Sequence, residues 1–174
     1  RAAAGAGLKV AISGLGGDEL FGGYPSFDEV PRTVRWMSPF NHSTALGRTF
    51  RVVSAPVLKH LTSPKYSGLL EYGGSYAGAY LLRRGLFMPW ELPEILDGEL
   101  IREGWEELKI LTRLEDTVEG ICSSHMKISA MEMTWYMRGQ LLRDSDWAGM
   151  AHGLEIRVPF VDAFLLKRLA GFLA

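Results

Sequence analysis

A chain of 174 residues, 47% hydrophobic and 22% charged, is long enough to build a real core. Its formal net charge of −1 argues against nucleic acid as the main partner, and no apolar run is long enough to span a bilayer. The single cysteine, Cys122, excludes an internal disulfide and fits a reducing cytoplasm; no histidine or basic cluster flanks it closely, so a catalytic thiol is not expected.

The chain opens without a methionine. Arg1 to Gly7 reads as the tail of a helix, joined too directly to the segment that follows to be a cleaved leader. Lys9 to Ser13 reads as a short buried strand, since Val10 and Ile12 are apolar and stiff at χ1. One strand is not a stable sheet, so the chain reads as a fragment whose sheet partners lie upstream. The strand runs into Ser13-Gly-Leu-Gly-Gly-Asp-Glu-Leu-Phe-Gly-Gly-Tyr24. Glycines 14, 16 and 17 suit a sharp turn in which N–H groups converge. A turn at a strand's carboxyl end that feeds a helix is a ready anion site. Two carboxylates, Asp18 and Glu19, would repel a phosphate unless a magnesium ion lay between them. The plainer reading is a helix capped by Asp18, with Glu19 in its positive first turn. The pattern is neither Gly-x-Gly-x-x-Gly nor a Gly-Lys-Ser/Thr loop.

Phe27 to Met37 reads as a helix, with Phe27, Val30, Val34 and Met37 on one face and Pro31 in about its first turn. Ser38-Pro39 stops it. Ser43 caps an expected helix over Thr44 to Val53, and Pro56 suggests a separate short helix to Leu61. Ser63-Pro64 opens another, which Gly73-Gly74 ends. The Arg–aromatic neighbours at Arg32, Arg35, Trp36 and at Arg48, Phe50, Arg51 read as amphipathic faces. Tyr76 to Arg84 is a helix stopped by Gly85, and Leu86 to Pro93 a proline-punctuated loop leading to a helical turn at Glu94 to Leu96. Gly98 to Leu114 reads as one helix, with Leu100, Ile101, Trp105, Leu108 and Leu111 apolar and its acids on a solvated face. Ser123 to Leu142 is a long helix whose Met126, Met131, Met133, Met137 and Leu141 read as core packing. His42, His60, His125 and His152 lack metal-ligand spacing.

The second chemistry-bearing stretch is Leu141-Leu-Arg-Asp-Ser-Asp-Trp-Ala-Gly-Met-Ala-His-Gly-Leu-Glu-Ile-Arg-Val-Pro-Phe-Val-Asp162. Arg143, Asp144 and Asp146 beside Trp147 make either a helix junction with local ion pairs or a cleft wall on which Arg143 presents a fixed positive charge. Glu155 and Arg157 flank Ile156 on an extended segment and so point the same way; they read as a bracing pair. Asp162 reads as the N-cap of a last helix, Ala163 to Leu173.

These two stretches resemble, in family order, the second nucleotide-site motif and the closing synthetase-domain signature of the glutamine-dependent asparagine synthetases. The resemblance implies an adenine-nucleotide alpha hydrolase-like α/β parent, a parallel sheet with an ATP-pyrophosphatase site. Of it this chain, residues 1–174, is one partial domain, mostly α-helical with one N-terminal strand. It implies ATP-dependent conversion of aspartate to asparagine through an aspartyl-adenylate, with pyrophosphate released and ammonia supplied from glutamine by an N-terminal glutaminase domain. ATP and Mg²⁺ are the implied cofactors, the location is cytoplasmic, and a homodimer is one assembly it admits. Asp18 matches the magnesium ligand, and Ser13 and Gly14 match positions lining the ATP site. Gly16 and Gly17 would face the phosphates. Tyr24 joins the nucleotide set, Glu19 and Arg143 the catalytic set, and Asp146, Glu155 and Arg157 the substrate set.

Three departures stand out. Many members carry an acid where this chain has Leu15, and leucine cannot accept a proton. Many carry a lysine at the position of Asp144, where the nearest cation here is Arg143. A Ser-Gly-Gly-x-Asp-Ser loop and the glutaminase domain are not in the sequence, so the chain alone is not expected to catalyse the reaction. Leu15 and Asp144 keep two alternatives open: a β-lactam synthetase-like or other carboxylate-adenylating paralogue, and a non-enzymatic helical interaction module.

Overall fold

The computed structural model describes residues 1–40, 44–61 and 63–173. His42, the expected cap Ser43 and the side chain of His60 lie outside what is described. In chain order the helices and strands are α1 (Ala2–Gly5), β1 (Val10–Ile12), α2 (Gly17–Phe21), α3 (Ser26–Met37), α4 (Thr44–Leu61), α5 (Leu69–Tyr72), α6 (Tyr76–Arg84), α7 (Gly98–Leu108), α8 (Ile110–Val118), α9 (Ser124–Met131), a π-helical segment (Glu132–Leu141), α10 (Leu142–Met150), β2 (Glu155–Arg157) and α11 (Ala163–Leu173). Single 3₁₀ turns occupy Ser38–Phe40, Pro64–Gly68 and Leu92–Glu94.

Two compact units result: Arg1–Phe27 with Gly120–Ala174, and Asp28–Glu119. The first carries both motifs. Its sheet is a two-stranded parallel pair, with Val10 opposite Glu155, Ala11 opposite Ile156 and Ile12 opposite Arg157. The partner of β1 therefore lies downstream, in the extended segment around Ile156, and the expectation of one strand with only upstream partners is corrected. Burial is corrected too: Val10 is 40% exposed and Ile12 79%. Parallel sheets are buried when helices cover both faces. Here α10 packs on β2 closely enough that a Cβ on Gly149 would stand 3.1 Å from the Ile156 side chain.

The long helix continues beyond Leu142, through the π-helical segment and α10 to Met150. Ile128, Met131 and Met137 are buried, as core packing requires. Asp162 caps α11, its Oδ1 accepting the Leu165 N–H at 2.7 Å.

The second unit is helical. α3 begins at Ser26, which makes Pro31 its sixth residue, past the expected first turn. α4 is one helix of 18 residues, continuous through Pro56. The expected helix over Gly98 to Leu114 breaks instead at Lys109, which adopts a left-handed φ of 44°. Its N–H closes on the Trp105 carbonyl at 3.2 Å, and α8 starts at Ile110. α6 has the expected bounds, with Ser75 accepting the Gly78 N–H at 3.1 Å. Arg51 is not on an open amphipathic face. Its Nε donates to Glu71 at 2.7 Å and its guanidinium lies 4.5 Å from the Trp90 ring centre. No described helix is long and apolar enough to cross a membrane.

Candidate functional site

The parallel register sets the carboxyl ends of β1 and β2 side by side. The Ser13 N–H donates to the Arg157 carbonyl at 2.8 Å, which carries the pairing one residue past β1. The loops that follow then touch. Gly16 adopts φ 93°, and a Cβ there would lie 2.9 Å from Val161 Cγ2 and 3.0 Å from the Phe160 carbonyl carbon. The structure thus brings the two sequence motifs together at the strand ends, where ligands bind in open α/β sheets.

Within the loop, Ser13 Oγ accepts the Leu15 N–H at 3.3 Å, and the Gly14 carbonyl accepts the Gly17 N–H at 3.1 Å. Two of the N–H groups expected to converge on an anion, those of Leu15 and Gly17, are thus occupied within the turn. Gly16 is buried against the second motif, whereas Gly14 is exposed with nothing within 4 Å of a Cβ position. Gly14 is the loop's open face. Behind the loop lies an apolar cavity of about 220 Å³, lined by Gly16, Leu20, Met133, Met137, Phe160 and Leu166.

Asp18 and Glu19 separate. Consecutive helical residues differ by about 100° in direction, so Asp18 is exposed while Glu19 is 1% exposed. A single ion held between them is not the arrangement seen. Nor does Asp18 cap α2: the cap position is Gly16, with no side-chain bond. Among the described residues no group of three or more metal-ligating side chains exists. A Mg²⁺ that takes one carboxylate and completes its shell with phosphate oxygens and water fits Asp18, which is exposed and without an ion pair among the described residues.

Glu19 Oε1 accepts the Tyr24 hydroxyl at 3.0 Å, and Glu19 Oε2 is buried without a hydrogen bond among the described residues. Burial, then the Glu19 carboxylate, hold the Tyr24 phenol well above its ordinary value of 10.0. The folded state therefore keeps this proton after the unfolded chain has lost it. Stability from this group is fully present below about pH 10 and falls as pH rises beyond it. Tyr24→Phe is expected to flatten part of the alkaline loss in urea unfolding above about pH 10. An unchanged pH slope would count against the Tyr24–Glu19 bond.

In the second motif Arg143 and Asp144 form a loose exposed pair at 3.6 Å, with the Arg143 guanidinium 5.2 Å from the Trp147 ring centre. These contacts are within α10, not with the glycine loop. Asp146 is exposed. Arg157 Nε donates to Glu155 at 2.9 Å, the expected pair, on the open side of β2.

Two functional-looking residues escape a reading by motif. Glu132 is fully buried and accepts the Ser26 hydroxyl at 2.5 Å. A lone acid in the run Ile128-Ser-Ala-Met-Glu-Met133 is the signal that marks it. His125 is structural: its Nε2 lies 3.1 Å from the Leu20 carbonyl and its ring packs on Phe27. Nothing in its sequence spacing points to that contact. Cys122 is exposed.

The family model described as asparagine synthase matches residues 1–172. A putative asparagine synthetase (glutamine-hydrolyzing) of Mycobacterium tuberculosis is 30% identical over 158 residues, which is 89% of this chain and 22% of that protein. The same holds for its Mycobacterium bovis counterpart. Asparagine synthetase (glutamine-hydrolyzing) 1 of Bacillus subtilis is 28% identical over 168 residues, 89% of this chain and 23% of that protein. The chain thus spans less than a quarter of the length of these relatives. No solved structure matches. With the two motifs joined at the strand ends and the family model covering nearly every residue, the chain belongs to the asparagine synthase family.

Proposed function

We propose that this chain is a segment of the synthetase domain of a glutamine-dependent asparagine synthetase, and that the junction of its two motifs is one wall of the Mg·ATP and aspartate site. The observation that carries this reading is the seating of Gly16 on Phe160–Val161, with Gly14 and Asp18 left open beside it. In this reading β1 and β2 belong to a larger parallel sheet of an adenine-nucleotide alpha hydrolase-like domain. The exposed Ile12 is then covered by elements of the parent chain.

The parent activates the aspartate side chain as an adenylate, releases pyrophosphate, and lets ammonia from a glutaminase domain displace AMP. Positioning and charge compensation do most of such work. Asp18 would hold Mg²⁺, whose charge offsets that of the leaving pyrophosphate. Ser13 and Gly14 line the nucleotide, and Gly16 and Gly17 shape the loop. Arg143, Asp146, Glu155 and Arg157 are exposed groups that would face substrate once other parts of the parent complete the cleft. Glu19 and Tyr24 act from inside. Leu15 can neither give nor take a proton, and Asp144 is drawn to Arg143. Those two positions favour a second reading, a paralogue that adenylates a different carboxylate.

The deciding experiment uses the full-length parent. Pyrophosphate release from Mg·ATP is followed with aspartate, with and without ammonium or glutamine, and asparagine is sought by mass spectrometry. Aspartate-dependent pyrophosphate together with asparagine is expected. Release only with another carboxylate would move the assignment to the paralogue. Silence with every carboxylate would leave a non-enzymatic helical module.

A further inference from the structure

α2 has five residues, no side-chain cap and a left-handed glycine at each end, Gly16 at φ 93° and Gly22 at φ 77°. So short a helix has too few internal bonds to fix its own rotation, and glycine leaves both ends free to turn. Asp18 is exposed, makes no ion pair or hydrogen bond among the described residues, and lies against Gly23; its place is set by that contact together with the next two residues, Glu19 and Leu20, each 1% exposed. Burial of the Leu20 side chain is non-directional. The grip on the Glu19 side chain is directional, because the Tyr24 hydroxyl donates to it at 3.0 Å. Tyr24 in turn stands edge-on to Tyr136, with ring centres 5.9 Å apart. Two residues after Tyr24, Ser26 donates to Glu132 at 2.5 Å. Glu132 and Tyr136 both lie on the π-helical segment of 10 residues. Such geometry is rare and recurs at functional sites. Buried carboxylates are seldom the most stable choice for an interior, which turns attention to what Glu19 and Glu132 orient.

We propose that Glu132, through Ser26, and Glu19, through Tyr24, form a positioning brace that sets where the Asp18 carboxylate stands toward a divalent cation. The brace rests on the reading of Asp18 as a magnesium ligand. Partners bonded directly to a metal ligand typically alter metal affinity about 10–100-fold when removed; Tyr24 and Ser26 bond Glu19 and Glu132 rather than Asp18, so a smaller, several-fold effect is expected of them.

The test uses the full-length parent with Mn²⁺ and a non-hydrolysable ATP analogue. Binding is read as the change in the Mn²⁺ electron paramagnetic resonance spectrum when protein is added to a fixed Mn²⁺–analogue mixture, beside a thermal unfolding curve. Ser26→Ala and Tyr24→Phe each remove one hydroxyl and are expected to weaken Mn²⁺ binding several-fold, less than the loss of a group bonded to the ligand itself. Glu19→Gln keeps an oxygen for the Tyr24 hydroxyl and is expected to stay near wild type. Wild-type affinity in both hydroxyl variants overturns the brace. So does an equal loss of affinity in Ser75→Ala, which uncaps α6 without touching either motif or the brace. A wild-type parent that binds no Mn²⁺ overturns the reading of Asp18 itself, and the brace with it.

Discussion

Asp18→Ala in the full-length parent is expected to lower pyrophosphate release by at least about 10²–10³-fold while the unfolding midpoint hardly moves. The two halves of that expectation have separate causes. The carboxylate is exposed and makes no ion pair or hydrogen bond among the described residues, so its removal leaves nothing buried and unsatisfied. The stability cost is at most the loss of one acid in a helix's first turn, about 0.3–1 kcal/mol. Activity is another matter if Asp18 is the protein's grip on the metal that offsets pyrophosphate charge. Asp18→Asn, nearly the same shape without the charge, is expected to match the alanine variant. Steady-state rates within a few-fold of wild type for both variants would remove Asp18 from the site.

Gly16→Ala is expected to cost about 2–4 kcal/mol in urea unfolding and to abolish activity, because two penalties coincide. The residue sits at φ 93°, where side chains rarely go. Its Cβ would also press on Val161 Cγ2 and on the Phe160 backbone, and a backbone atom cannot swing aside as a flexible side-chain tip does. Gly14→Ala is the matched control, since it has open space and no positive φ. It is expected to leave stability within about 0.5 kcal/mol, as for an ordinary surface change, and to raise KM for ATP. A Gly16→Ala variant as stable as wild type would mean that the loop contact is not what joins the motifs. An unchanged KM in Gly14→Ala would take the open face of the loop away from the nucleotide.

Elements whose ends depend on local chemistry were legible. Gly85 stops α6, Asp162 caps α11, and Ser38-Pro39 ends α3 in a 3₁₀ turn. Boundaries set by packing were not. Pro56 reads as a break, yet α4 runs through it; Lys109 reads as an ordinary helical residue, yet it takes a left-handed turn that begins α8. The methionine stripe marks an interior, but its spacing does not announce that the backbone bonding shifts to a π pattern at Glu132.

For the site, the sequence by itself determined the family, the two motifs, their order and the residue types available for phosphate and metal chemistry. These are properties of short contiguous stretches, where turn formers and charge follow one another along the chain. Only the tertiary structure decided that β2 is the partner of β1, that Gly16 rather than Gly14 is the glycine its surroundings demand, and that Asp18 faces out while Glu19 faces in toward Tyr24. Each of those depends on atoms far apart in the chain approaching within a few ångströms, and residue order carries no distance. Ser26 and Glu132 are the clearest case: neither belongs to a motif, and their bond exists only because the fold buries them against each other.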